Sequence, residues 1–401
     1  MKTLPENLLE PHVVHDPYSY YDKLRKDEPV YWNSQWDGWI LTSYEDVRSA
    51  FQDLRLSAER VRPSKGMDTK KQNEMTSVYE ILSNWMVFND PPKHTRLRML
   101  MNKAFTPKAV KKLVPQIEDT TDFLLKDMRK HYTCNVLRDF ASILPIIVIS
   151  ELLGVPKEDR DKIKKWSDDL MLLVFGAVEV KERHAVAKQS LFEMVDYLKD
   201  IVEKRRQDPK DDLITALVQA SEDGNKLSDE EVISTCTLLV FGGHETTTNL
   251  IANGLLALYN HPDELEALKE KPELITTAVD EILRYDGPSK AMVRVAKEDL
   301  LLRDKEIKAG HKILLVQAAA NRDPDVFDEP HRLKIDRTPN LHLGFGRGIH
   351  YCLGAPLALQ EGRIAISKFI ESFPNYSIDL SELQWQPTII NRGLKELNIT
   401  L

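Results

Sequence analysis

Short alternating runs open the chain. Val30-Tyr31-Trp32 and Gly38-Trp39-Ile40-Leu41 are apolar segments separated by a polar turn, the pattern of two paired strands. Ser43 stands where a helix N-cap belongs, ahead of Val47 and Phe51. Residues 61–84 are polar without a clear period and read as a loop or short helices. The apolar cluster Trp85-Met86-Val87-Phe88 follows, and Asp90-Pro91-Pro92 stops regular structure and prepares a helix start. Thr106-Pro107 is an N-cap with proline at the first helical position. From there to about Asp212 the pattern is almost all helix. Leu191, Met194, Val195, Leu198, Ile201 and Val202 recur at the 3.6 period, and Asp208-Pro209 ends their helix.

Ser228 and Glu231 form a capping box at the start of the longest predicted helix, which His261-Pro262 stops after Asn260. At 1.5 Å per residue it spans roughly 48 Å. Its centre, Phe241-Gly242-Gly243-His244-Glu245-Thr246-Thr247-Thr248, holds two glycines and three threonines, poor helix formers. Close packing against another helix accounts for them, and so does a local opening, with a widened turn, where a small ligand meets the backbone. Beyond Asp286-Gly287-Pro288 the composition is β-like: Met292-Val293-Arg294-Val295, Leu300-Leu301-Leu302 and Lys312-Ile313-Leu314-Leu315-Val316. Asn321-Arg322-Asp323-Pro324 leads into an irregular stretch, and Ile389-Ile390-Asn391-Arg392-Gly393-Leu394 predicts a tight hairpin before a last strand. The chain is therefore mainly α with a smaller β-rich part. The β-rich segments lie at about 29–60, 290–345 and 376–401, and the helical ones at about 85–290 and 355–373. No repeat or low-complexity linker divides 1–401 into independent domains.

Hydrophobic residues make up 42% of the 401 and charged ones 29%, enough for a sizeable core in a chain that stays in solution. A net charge of -8 argues against nucleic acid as a partner. The start, Met1-Lys2-Thr3-Leu4-Pro5, has no apolar leader, so no membrane anchor is expected. Ser142 to Val155 is too short to span a bilayer, and Ile233 to Tyr259 carries Glu245 at its middle, where a carboxylate is costly. Both read as buried core helices. The three cysteines, Cys134, Cys236 and Cys352, are far apart and odd in number, which predicts no disulfide framework and a reducing cytoplasm.

Candidate chemistry concentrates in Leu343-Gly344-Phe345-Gly346-Arg347-Gly348-Ile349-His350-Tyr351-Cys352-Leu353-Gly354. Glycines let the backbone bend tightly and let a flat ligand approach. A cysteine in such a loop, followed by the helical start Ala355-Pro356-Leu357, suits a metal-bound thiolate. Taken alone, Cys352 reads as a buried structural thiol. His94 and Arg98 lie at i,i+4 on one helix face, which fits a solvated basic face or a clamp on carboxylates. Residues 93–112 carry Lys93, Arg96, Arg98, Lys103, Lys108, Lys111 and Lys112 and no acid, a local +7 that would steer an acidic partner.

Taken together, Phe-Gly-x-Gly-x-His-x-Cys-x-Gly at 345–354, Asp-Pro-Pro-x-His-x-x-x-Arg at 90–98, Gly-Gly-x-Glu-Thr-Thr at 242–247 and Glu-x-x-Arg at 281–284 resemble the cytochrome P-450 monooxygenases, in that family's order and over essentially the whole chain. The resemblance implies the cytochrome P-450 fold, with haem b between the long helix and the Cys352 loop, and dioxygen as co-substrate. It implies Cys352 as the iron ligand. His94, Arg98, Gly242, Arg294, Phe345, Gly346, His350 and Gly354 would be cofactor-binding residues, with Arg294 at the second propionate and Phe345 shielding the thiolate. Glu245 and Thr246 would deliver protons. Glu281 and Arg284 would form a structural network completed by Arg332; Leu333 stands where the family commonly has Phe. Matching segments put Val87, Leu238, Phe241, Ala291, Met292, Ile389 and Ile390 at the substrate pocket, all apolar, which suits a steroid, terpenoid or fatty acid. No flavin or iron–sulfur module fits in this length, so electrons would come from a ferredoxin or flavodoxin with its NAD(P)H reductase, and a cytoplasmic monomer is expected. A gas-binding haem protein would not need the Glu245-Thr246 pair, a peroxide-driven oxygenase would carry another pair there, and intact Cys352, Arg98 and Arg294 argue against a haem-free scaffold.

Overall fold

In the computed structural model, residues 7–61, 69–174, 183–222 and 224–401 are described. They fall into two compact units. Unit 1 comprises residues up to Leu56, Pro115–Pro145 and Thr246–Leu401; unit 2 comprises Ser57–Val114 and Ile146–Glu245. The cut falls within the longest helix, Asp229–Tyr259, which is α-helical throughout its 31 residues, so the widened turn expected at Gly242-Gly243 is not present. Ser228 and Glu231 cap it reciprocally: the Glu231 N–H donates to Ser228 Oγ at 3.2 Å and the Ser228 N–H to Glu231 Oε2 at 3.0 Å. No helix among the described residues is long and apolar enough to cross a membrane.

Unit 1 is built on a sheet whose alternation is visible in the sequence. The strands Val30–Asn33 and Gly38–Leu41 pair antiparallel, Lys312–Leu315 runs parallel beside Gly38–Leu41, and Met292–Ala296 pairs antiparallel with Lys312–Leu315. Successive side chains point to opposite faces. Leu41, Ile313 and Leu315 therefore enter one core with Val47, Phe51, Phe327 and Leu343, while Ile40 and Leu314 enter another with Tyr18, Tyr21 and Leu24. Thr133–Asn135, within a stretch expected to be helical, is a strand paired with Asn398–Thr400. The predicted final hairpin closes through a bridge between Trp385 and Leu394, and Asn253 pins it by donating to the carbonyls of Arg392 and Asp286 at 2.9 and 3.1 Å.

Unit 2 is helical. Thr69–Leu82 is a 14-residue helix where the polar pattern suggested a loop or short helices; 62–68, part of the same stretch, lies outside the described residues. Helices Arg160–Val174 and Arg183–Gln207 meet through Trp166 and Tyr197, with ring centroids 5.5 Å apart.

A buried ion network in unit 1 holds the irregular stretch that precedes the Cys352 loop. On helix Ile275–Asp286, Arg284 Nε and Nη2 donate to Glu281 at 2.7 and 2.8 Å, with both side chains fully buried. Arg284 then spends its other donors on the carbonyls of Asn321, Pro330 and Arg332. Glu281 accepts from the Lys334 N–H, Asn340 Nδ2 and Arg337 Nε. Burial pushes the Arg284 guanidinium below its ordinary pKa, with Glu281 opposing. The third member is therefore Arg337 and not Arg332. The Arg332 side chain is half exposed and reaches only Glu329, at 3.8 Å; it contributes a carbonyl to the network. Because the segment is irregular, no period fixes which arginine turns inward.

Removing one partner of a buried pair leaves the other charge uncompensated. Arg284→Met is expected to cost about 3–5 kcal/mol. Arg337→Met should cost about 1–3 kcal/mol, and Arg332→Ala less than about 0.5 kcal/mol. Urea unfolding of the three variants checks the order, and equal losses for Arg332 and Arg337 would return the role to Arg332.

Candidate functional site

In unit 1 the Cys352 loop starts from an anchored backbone. The Leu343 N–H donates to Asn321 Oδ1 at 2.7 Å, and a Cβ on Gly344 would lie 3.1 Å from the Leu283 carbonyl oxygen, so the chain passes closely over the end of the ion-pair helix. The loop then turns twice through left-handed backbone, at Gly346 (φ +69°) and Gly348 (φ +72°). A Cβ at Gly348 would also meet the Phe51 carbonyl at 3.0 Å, so two constraints select glycine there. The turn closes where the Cys352 N–H donates to the Phe345 carbonyl at 3.0 Å. His350 ends the short 3₁₀ turn Gly348–His350, and Gly354 caps helix Ala355–Ser372, which carries Pro356 in its first turn.

This geometry separates the three cysteines. Cys134 and Cys236 are buried, whereas Cys352 is only half-buried, at the mouth of a helix N-terminus. Burial pushes both other thiols up: Cys134 moderately, with its sulfur 3.5 Å from the Met128 carbonyl, and Cys236 far above the ordinary thiol range. Only Cys352 among the three combines access with a dipole that favours a thiolate.

Phe51 links the loop to Arg294. Arg294 is buried on strand Met292–Ala296, donates Nη1 to the Val293 carbonyl at 3.0 Å, and holds its guanidinium 5.9 Å from the Phe51 ring centre. A Cβ on Gly346 would lie 3.6 Å from the same ring. Sequence reading gave Phe51 only a helix-packing part, and found neither Asn321 nor its role, for which the turn signal at 321–324 was the sole clue. Thr246 opens the unit 1 half of the long helix. One turn on, Asn249 packs so closely on Gly393 that a Cβ there would fall 2.6 Å from its amide oxygen. Ala291 is buried, and Met292, Ile389 and Ile390 are partly buried; the Ala291 N–H donates to the Ile390 carbonyl at 3.3 Å, which joins the two segments, with Ala291 and Ile389 packed in one core and Met292 against the other.

In unit 2, His94 is buried and Arg98 half-buried on helix Lys93–Ala104. Val87 lies in the turn Met86–Phe88, beside Trp85, which stacks on Phe88 at 5.8 Å and tilts on Phe241 at 5.3 Å. Trp85 Nε1 donates to Thr237 Oγ1 at 2.8 Å, and Leu238 is buried on the next position of the same helix. A Cβ on Gly242 meets no described atom within 4 Å, whereas Gly243 faces Ile149 at 3.6 Å. Glu245 is buried. His244, which drew no role from the sequence, is buried with Nδ1 3.1 Å from Ser167 Oγ and 3.6 Å from Asp168, whose carboxyl burial raises.

The basic stretch 93–112 is not a patch of seven free cations. Arg96 pairs with Glu231 and Lys112 with Asp211, while Lys93 and Lys103 donate to the carbonyls of Ser83 and Ser221. Lys108 and Lys111 stand exposed on helix Pro107–Met128.

The family model described as Cytochrome P450 matches residues 17–392. The polyketide biosynthesis cytochrome P450 PksS of Bacillus subtilis (strain 168) is 40% identical over 399 residues, covering 96% of each chain. Among solved structures, P450BioI in complex with hexadec-9Z-enoic acid ligated acyl carrier protein superposes with a TM-score of 0.91 at 36% identity, covering 98% of this chain and 99% of that one. CYP109E1 from Bacillus megaterium in complex with corticosterone gives 0.85 at 35% identity, covering 97% and 99%.

Proposed function

The chain belongs to the cytochrome P450 family, and from that premise we propose that it hydroxylates a steroid, terpenoid or fatty-acid type of small molecule with electrons from a separate ferredoxin or flavodoxin. As a family member it is a monooxygenase that uses haem b and dioxygen. The haem supplies activation of dioxygen, and thiolate ligation favours O–O cleavage.

The observation that carries the site assignment is the half-buried Cys352 at the start of helix Ala355–Ser372, against two buried thiols that burial keeps protonated. The residues of the loop fit a bound macrocycle: a Cβ on Gly354 would lie 4.0 Å from Cys352 Sγ, so glycine keeps the sulfur uncovered there, His350 lies in the same turn, and the Phe345 carbonyl accepts the Cys352 N–H. We assign Cys352 as the iron ligand and His94, Arg98 and Arg294 as donors to the haem carboxylates. Gly242, with no described atom within 4 Å of a Cβ position, leaves room beside the backbone. Thr246 Oγ1 both donates and accepts, so it can hold a water in place; the Glu245 carboxyl beside it in sequence passes the protons. Val87, Leu238 and Phe241 in unit 2, and Met292, Ile389 and Ile390 in unit 1, offer apolar surface, and Ala291 is enclosed next to Met292. The relatives bound to a hexadecenoyl chain and to corticosterone support that substrate class.

Spectroscopy tests ligation and substrate class together. The reduced carbonyl complex should show the red-shifted Soret band of a thiolate haem, Cys352→His should abolish that shift, and Cys134→Ser and Cys236→Ser should keep it. In the same cuvette, corticosterone or hexadec-9Z-enoic acid should perturb the wild-type haem spectrum; silence from both would count against the substrate class. A Cys352→His band that keeps the wild-type red shift would refute the ligand.

Thr246→Ala should keep haem content, ligand affinity and NAD(P)H consumption near wild type while product falls and hydrogen peroxide rises. Coupling as tight as in wild type would remove the proton role from this hydroxyl.

Charge reversal at the exposed Lys108 and Lys111 should slow reduction by an acidic donor protein and flatten its dependence on salt, without changing ligand affinity. Stopped-flow reduction across a salt series measures this, and unchanged rates would place the donor elsewhere.

A further inference from the structure

Lys290 has no part in the chemistry above, yet it is only 3% exposed. Its ammonium donates to the Thr388 carbonyl at 2.6 Å. Its backbone is held from two other directions: the N–H donates to the Ile390 carbonyl at 2.7 Å, and its carbonyl accepts from the Ala318 N–H at 3.0 Å. The preceding Ser289 carbonyl accepts from the Gln317 amide at 2.9 Å. Thr388 in turn organises the hairpin tip: its hydroxyl donates to the Asn391 carbonyl at 2.8 Å and accepts from the Asn391 N–H at 3.1 Å. The backbone bonds to Ile390 and the bridge between Ser289 and Asn391 join the two segments, and the buried Lys290 side chain adds the one bond that reaches the start of the turn at Thr388.

The charged groups facing Lys290 are few. From helix Ile275–Asp286 comes Asp286, which accepts from Tyr18 and from Arg392 Nε. From the hairpin comes Arg392, and behind them Arg322 lies over the Tyr18 ring at 3.5 Å. Segment 317–320 offers only the neutral Gln317 and alanines. Burial first, and then Arg392, push the lysine down to about 7, with Asp286 opposing.

The sign follows from linkage. An unfolded lysine keeps its proton to about pH 10.4. Between about pH 7 and that value the folded chain binds fewer protons than the unfolded one, so stability rises with pH across that window. At and below pH 7 the buried ammonium weakens the fold. What it supplies in return is local: a charge-assisted hydrogen bond, roughly twice as strong as a neutral one, at the carbonyl that begins the turn.

We propose that Lys290 is a positioning residue that sets the spacing between Ala291–Met292 and Ile389–Ile390, and so the shape that this apolar wall offers to substrate. The proposal rests on the pocket assignment made above.

The test compares the haem-loaded wild type with Lys290→Met at about pH 6. Amides of 388–393 should exchange with deuterium at least about tenfold faster in the variant, while those of 312–315 stay unchanged. The thermal midpoint should equal or exceed that of wild type, a combination that a merely structural lysine would not give. The calorimetric Kd for hexadec-9Z-enoic acid or corticosterone should rise at least about fivefold. Unchanged exchange at 388–393, or a lowered midpoint with faster exchange throughout, overturns the proposal. Faster exchange at 388–393 with an unchanged Kd, or no binding of either probe to wild type, overturns instead the pocket assignment on which it rests. Should the variant fail to fold, Lys290→Gln, too short to reach the Thr388 carbonyl, takes its place with the same quickening expected at 388–393, and unchanged exchange there overturns the proposal.

Discussion

A carboxylate and a guanidinium taken fully out of water are tolerable only when every remaining donor and acceptor is also met. Glu281 and Arg284 satisfy that demand by drawing in backbone and side chains from 321 to 340, a segment with no helix or strand of its own. The order of that segment is thus borrowed from one helical turn. Asn321 passes it on: its carbonyl accepts from Arg284 while its side chain receives the Leu343 N–H that starts the Cys352 loop. Loop geometry and network geometry are therefore one constraint, and a change to either charge reaches the loop through two hydrogen bonds.

A second separation is electrostatic. Three thiols of one chemistry behave differently because two are enclosed and one is only half-buried before a helix start. The same logic divides the lysines. Lys108 and Lys111 remain in water, whereas Lys290 is stripped of it and held against a carbonyl. Burial decides which side chains can change protonation near neutrality and which merely add surface charge.

Much of this was legible in the sequence wherever the signal is local. The capping box at Ser228 and Glu231 and the stop at His261-Pro262 place the long helix to within a residue at each end. Strand alternation gives the two cores, because the side-chain period is 2. The motif around Cys352 marks its loop, because glycines at left-handed positions have few substitutes. The failures are long-range. Arg337 displaced Arg332 since side-chain direction in an irregular segment is set by a partner more than fifty residues away. Thr133–Asn135 became a strand only through Asn398–Thr400. The helix Thr69–Leu82 formed without an amphipathic stripe to announce it. Lys290, between a serine and an alanine after a proline, reads as surface until contacts from 388 and 286 enclose it.

The pairing of Thr133–Asn135 with Asn398–Thr400 bears on how the chain is made. A ribosome releases the first of these strands long before the second, and domains fold as they emerge. Through most of synthesis the early strand, with Cys134 at its centre, has an open edge of the kind that recruits other chains. The Cys352 loop is released late as well, and the hairpin that Asn253 and Asn249 hold follows it. A nascent chain stalled before residue 398 would present this strand unpaired, with the Cys134 thiol uncovered at its centre.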